Sequence, residues 1–218
     1  MNSLVHWALD LLFPPKCVFC RRLLTRGETD ICSACRLELP IFQGPGLHSA
    51  YITDFTAALY YEGAVRLSLH RFKFNGVGLY ADAYAALLAA AVQTKLTGGF
   101  DWVTWCPISK KRRRKRGYDQ GELLARALGK RLGLPVVATL HKTRDNPAQS
   151  TAGGAEARRA NVLGVYAPNA NTQLEGKRVL LIDDIATTGA TLQEASRILL
   201  TAGAMDVCCA VVATTRER

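Results

Sequence analysis

The stretch Arg178–Thr191, RVLLIDDIATTGAT, constrains the fold more than any other part of the chain. Val179 to Ile182 are apolar without alternation, which suits a strand buried on both faces of a parallel sheet. The run ends in two adjacent carboxylates, Asp183 and Asp184, followed by the small-residue loop Ala186, Thr187, Thr188, Gly189 and Ala190. Thr191 then stands where a cap would open a helix whose Leu192, Ala195, Ile198, Leu199 and Ala202 share one face. The order is strand, acidic pair, glycine-bearing loop, helix start. An anion site at the end of a buried strand needs that order.

Backbone N–H groups in such a loop, the helix dipole and the hydroxyls of Thr187, Thr188 and Thr191 all favour an anion, and Gly189 lets the backbone approach it. Two carboxylates beside that anion cannot be there to attract it. They suit sugar hydroxyls as acceptors, or a divalent cation as ligands. A sugar 5-phosphate satisfies both halves. The plain alternative is an ordinary strand-to-helix turn with an acidic corner, which is all that an isolated acidic pair would support.

The stretch resembles the PRPP-binding motif of the type I phosphoribosyltransferases: four hydrophobics, DD, and a TTG[AG]T-type loop. The resemblance implies that Asp183 and Asp184 hold the ribose 2- and 3-hydroxyls and that Ala186–Thr191 wraps the 5-phosphate. It also implies an α/β fold with a parallel-sheet core and flanking helices, and Mg²⁺ arriving with PRPP.

Near the amino terminus, Cys17-Val-Phe-Cys20 and Cys32-Ser-Ala-Cys35 form two CxxC knuckles separated by eleven residues. Each knuckle sets two thiolates on one side of a tight turn, and two knuckles complete a tetrahedral zinc site. Disulfides or a redox pair are the alternatives, but no thioredoxin-like unit surrounds either knuckle. Four cysteines would close the shell and leave no position for a reacting water, so the expected zinc is structural. The remaining Cys106, Cys208 and Cys209 read as core residues.

The chain has 218 residues, 49% of them hydrophobic. That is enough for one α/β domain and a small appendage, divided here as residues 1–45 and 46–218. No apolar run reaches the length of a membrane span. Leu4–Phe13 lacks a basic start and carries His6 and Asp10 on one helical face, so it reads as a docked amphipathic helix rather than a signal peptide. The expected location is the cytoplasm, where thiols stay reduced.

The formal charge is +10, and Lys110, Lys111, Arg112, Arg113, Arg114, Lys115 and Arg116 supply seven of it, leaving +3 for everything else. The basicity is thus one local feature. A solvated charge run at a loop is the bland reading. Seven like charges in sequence repel one another, so a polyanion is expected there, with Lys110–Lys115 on nucleic acid and Tyr118 either stacking on a base or packing at a helix start.

The rest of the chain reads as a strand within Tyr51–Tyr61, helices over Ala64–Phe72 and Leu79–Leu96, and a short strand at Trp102–Pro107. A helix over Glu122–Leu132 ends at Gly133, and strands follow over Val136–Leu140 and Asp206–Ala213. His141–Arg159 reads as a loop over the site, with His141 a satisfied loop residue.

Cys106–Gln120, CPISKKRRRKRGYDQ, narrows the resemblance. A strand, a proline turn, a basic cluster and RGYDQ before a helix are similar to the ComF family, which includes GntX and joins a four-cysteine zinc module to a phosphoribosyltransferase domain. Tyr61-Glu-Gly63 with Phe72-Lys73, Gln149, and Arg158 with Asn161 fit the same pattern, while Gly153-Gly154 departs from it. By analogy with that fold, Pro107–Lys110 falls where a pyrophosphate loop would, with Lys73 and Arg116 to neutralise the leaving group. The resemblance implies a role in natural transformation, with single-stranded DNA handled on the cytoplasmic side beside a DNA-uptake machinery. It does not establish catalysis. The alternative is a conventional phosphoribosyltransferase of nucleobase or nucleotide salvage with no DNA role.

Overall fold

The structure, a computed structural model, describes residues 14–47, 49–74, 78–145 and 162–216. The expected helix over Leu4–Phe13 lies outside them, as do Gln149, Arg158, Asn161 and most of the loop before Arg159.

Four parallel strands carry the fold: β1 (Asp54–Tyr60), β2 (Trp102–Trp105), β5 (Arg178–Ala186) and β6 (Asp206–Thr214), in the order β1-β6-β5-β2. β5 and β6 lie inside the sheet, as their unbroken apolar runs require. Side chains alternate across β5. Leu180 and Ile182 face a core built with α2 (Gly63–Phe74), α3 (Tyr80–Lys95) and α5 (Gln120–Leu132). Val179 and Leu181 face a second core built with α6 (Ala190–Thr201) through Leu192, Ala195 and Leu199. The exposed flank of β1 is covered by Pro40–Phe42, where Phe42 N–H donates to Ala58 and Tyr60 N–H to Pro40.

Four details differ from the sequence expectation. The basic run is not a loop: Lys110–Arg116 forms the helix α4, opened by Ser109, whose hydroxyl accepts from Arg112 N–H at 3.3 Å, and closed by Gly117 at φ 83°. Arg113 pairs with Glu122 at 3.0 Å, which offsets part of the repulsion along the run. Val136–Leu140 is not a regular strand; Val136 makes one parallel bridge to Val103, and the chain then forms β3 (Leu140–Lys142) antiparallel to β4 (Tyr166–Pro168). The acidic pair lies within β5 rather than after it. α6 begins two residues earlier than expected, so Gly189 at φ 69° is the N-cap and Thr191 sits in the first turn.

The amino-terminal knuckles are built on a short hairpin with a Lys16–Leu23 bridge, and Ser33–Leu37 forms the short helix α1. This module packs on the first core. The Arg71 guanidinium donates to the carbonyls of Val18 and Phe19 at 2.9 and 2.7 Å, and Ser68 donates to Val18 at 2.5 Å. Phe19 packs against Tyr84 with ring centroids 6.3 Å apart.

Candidate functional site

The sheet ends its strands where four segments converge. β2 pairs with β5 up to Trp105 opposite Ile182, and Cys106 N–H donates to the Ile182 carbonyl at 3.0 Å. The turn Pro107–Lys110 therefore leaves the sheet beside Asp183. Asp119 fixes that turn. Its Oδ2 accepts from Ile108 N–H at 2.9 Å, and its Oδ1 accepts from Glu122 N–H at 3.3 Å as the N-cap of α5. Gly121 lets α5 start against β2, since a Cβ there would lie 3.1 Å from the Trp105 ring.

Strand alternation separates the two carboxylates onto opposite faces. Asp184 continues the face of Leu180 and Ile182 and is buried; its Oδ1 lies 3.0 Å from Lys73 Nζ at the end of α2. Arg116, at the end of α4, belongs to the same face. It donates to the Gln120 amide oxygen at 2.8 Å, and the Asp184 charge acts on it, although burial still holds its guanidinium below its ordinary value. Gln120 in turn donates to the Lys73 carbonyl at 3.4 Å.

Asp183 turns to the other face, which carries Cys106 and Tyr166. Its Oδ1 accepts from Asp184 N–H at 2.8 Å. Loss of hydration, and then the neighbouring Asp184 charge, raise its carboxyl from 3.8 to about 8, against the opposing pull of Lys73. Lys73 pairs with Asp184, and its charge also acts on Asp183.

Sequence reasoning missed Lys142. Its ammonium stands 5.4 Å over the Tyr166 ring, and burial and Arg112 lower its affinity for a proton while Asp183 raises it. It reaches the site only through the β3–β4 ribbon, a contact with no local signal. The ribbon is tied to α6 by buried Glu194, which accepts from Gly164 N–H at 2.8 Å and from Arg197 at 2.8 and 2.9 Å.

The loop between β5 and α6 turns at Gly189. Gly189 adopts the left-handed conformation, and a Cβ there would lie 2.8 Å from Leu47, so both backbone and packing demand glycine. It offers no side chain to close the first turn of α6, whose N–H groups stand at the positive end of a twelve-residue helix. Thr188 accepts from Ala190 N–H at 3.5 Å, and Thr215 donates to the Thr187 carbonyl at 3.3 Å, fixing the loop from the end of β6.

On α4, Lys110, Lys111, Arg113, Arg114 and Lys115 are exposed, while Arg112 and Arg116 are half-buried toward the site. Tyr118 is occupied: its hydroxyl donates to the Phe72 carbonyl and its ring packs 6.1 Å from Phe72. The packing alternative describes its place.

The second candidate centre is the cysteine cluster. The Sγ atoms of Cys17, Cys20, Cys32 and Cys35 all lie within 4.8 Å of one another, with Cys20 and Cys32 3.7 Å apart. Tetrahedral ligation at Zn–S bonds of about 2.3 Å places sulfurs roughly 3.8 Å apart, so the donor set fits zinc. Cys35 N–H donates to Cys32 Sγ at 3.4 Å, and this bond together with Arg22 lowers the Cys32 thiol to about 6, as a thiolate ligand requires. Cys106, Cys208 and Cys209 are buried in the two cores, as expected.

Residues 119–218 match the phosphoribosyl transferase domain family, and residues 8–46 match the double zinc ribbon domain. The chain is 27% identical over 211 residues to the competence protein ComFC of Bacillus subtilis, covering 91% of this chain and 85% of that one. It is 24% identical over 217 residues to competence protein F of Haemophilus influenzae (88% and 93% covered). It is 26% identical over 220 residues to the DNA utilization protein YhgH of Escherichia coli O157:H7 (90% and 96% covered). Among the described residues, no helix is long and apolar enough to cross a membrane.

Proposed function

The chain belongs to the ComF family, a phosphoribosyltransferase domain joined to a double zinc ribbon, and from that premise we propose that it binds PRPP with Mg²⁺ and handles single-stranded DNA in DNA uptake. Asp183 and Asp184 accept the ribose hydroxyls, Ala186–Thr191 holds the 5-phosphate, and Lys73 and Arg116 neutralise the diphosphate. The observation that carries this reading is the convergence at the end of β5. There an acidic pair, with Lys73 3.0 Å from Asp184, stands beside a loop whose last residue is a left-handed glycine that caps α6.

The carboxylates are hard oxygen donors, so the site suits Mg²⁺ carried in by PRPP. When bound, the ion would offset charge on the diphosphate. The chain's own part is positional. Fixing the phosphate at one end and two hydroxyls at the other leaves C1 of the ribose as the free point of the sugar. In a transfer, the bond from C1 to the pyrophosphate oxygen breaks with its electron pair leaving on oxygen. A bond from C1 to an acceptor forms, and the acceptor loses a proton to solvent or a base. The exposed cations of α4 give the chain a second anion surface beside this pocket, suited to a phosphate backbone on the cytoplasmic side.

Two measurements test the reading. Asp183→Ala and Asp184→Ala should each abolish PRPP binding while zinc content stays at one per chain; unchanged affinity in both removes the pocket assignment. Affinity for single-stranded DNA should fall steeply with salt, and the joint Arg112→Ala, Arg113→Ala, Arg114→Ala variant should lose it. DNA affinity indifferent to both leaves the salvage alternative as the better account.

A further inference from the structure

Phe74 ends α2 with its side chain directed out of the fold. Phe72 is fully buried and Lys73 is drawn in to Asp184, yet Phe74 is 57% exposed. A lone exposed phenylalanine means little by itself. Its surroundings make this one informative. The guanidinium carbon of Arg116 stands 4.9 Å over the ring, and the His70 ring lies 4.7 Å away at 42°. Arg116 is also the last residue of α4, whose Lys110, Lys111, Arg114 and Lys115 are exposed. An open aromatic ring is thus coupled by one contact to a helix about 10 Å long that carries only cations. On its other side it is one residue from the cation of the acidic pair.

We propose that Phe74 is a stacking platform for an unpaired base of single-stranded nucleic acid, with Arg116 braced against the ring and α4 following the phosphates. The inference rests on the nucleic-acid reading of α4 and goes beyond it by naming the aromatic partner. Non-specific single-strand sites combine a cationic track with an aromatic ring, because every base has a face that stacks whatever its sequence. Tyr118, the aromatic nearest the run in sequence, cannot take this role while its ring and hydroxyl are held by Phe72. A base stacked on Phe74 lies next to Lys73, so the strand passes the mouth of the proposed PRPP pocket.

The test compares two labelled strands by fluorescence anisotropy on the full chain. One is oligothymidine of about 12 nucleotides, and the other has the same length with abasic sugars throughout. Wild type should bind the base-bearing strand roughly tenfold or more tightly than the abasic one. Phe74→Ala should erase that preference while leaving abasic affinity and its salt slope unchanged, and Phe74→Trp should restore it. A Phe74→Ala protein that keeps the preference overturns the inference. If wild type binds both strands equally, α4 still binds nucleic acid and the platform is wrong. If it binds neither, the nucleic-acid reading has failed and the platform with it.

Discussion

Acidic groups are crowded together at two places in this molecule, and the fold treats Cys32 and Asp183 in opposite ways. In the zinc module, backbone N–H groups and Arg22 point at the sulfurs, and the Cys32 thiol is lowered to about 6. At the end of β5, hydration is lost and the neighbouring Asp184 repels, so the Asp183 carboxyl is raised to about 8. Cys32 is held toward its thiolate form, while Cys35, by burial, and Cys20 are pushed toward the thiol, so a cation such as zinc would be needed to hold all four as thiolates. At the carboxylate pair, burial and then repulsion by Asp184 work against ionisation of Asp183. In the zinc module part of the charge, that of Cys32, is satisfied in advance. A site that binds a ligand leaves some of that satisfaction to the ligand.

The largest effect expected from that contrast is in the zinc module. Zinc-coupled folding is worth on the order of 10 kcal/mol in small zinc domains. Chelation should therefore expose the amides of Val18 and Ile31 to hydrogen exchange and free Phe19 from Tyr84. Unchanged exchange after verified zinc loss would break the comparison on this side.

The next effect is a pH dependence. The folded-state value of Asp183 lies above its ordinary 3.8, so the folded chain holds a proton that the unfolded chain releases between about pH 4 and pH 8. Stability from this group falls as pH rises across that window, by up to about 1.4 kcal/mol per pH unit. Asp183→Asn should flatten that part of the urea-denaturation profile and gain most at pH 8. An identical profile would mean that Asp183 is charged in the fold without penalty.

Lys73→Met should cost about 2 kcal/mol at pH 8, because Asp184 then loses its close cation while remaining buried. The same variant should move the Asp183 transition to higher pH, since Lys73 opposes its protonation. Arg113→Ala, which breaks an exposed pair with Glu122, should change stability by under about 0.5 kcal/mol. A larger loss would show that α4 depends on that pair.

How much of this was legible follows from where each signal lies. β5, the acidic pair and the glycine loop are contiguous, so their chemistry could be read from one stretch. The knuckles were legible for the same reason, since each CxxC is its own turn. α4 was read as a charge run at a loop because seven charged residues carry no apolar periodicity to mark a helix. Its supports, the Ser109 cap, Gly117 and Glu122 from the next helix, are small or distant signals. The opposite facing of Asp183 and Asp184 follows from strand alternation, but it required knowing that the strand runs on to Ala186. Lys142 and Phe74 were invisible because each gains its meaning from contacts across the fold: Lys142 through the β3–β4 ribbon, Phe74 through Arg116.

The central claim is that the end of β5 is an open site completed by PRPP. Calorimetric titration of PRPP into zinc-loaded protein, with and without Mg²⁺, tests it most directly. The account predicts binding at one site per chain that strengthens with Mg²⁺ and disappears in Asp184→Ala. Absence of binding in both conditions, with zinc present and the fold intact, would contradict it.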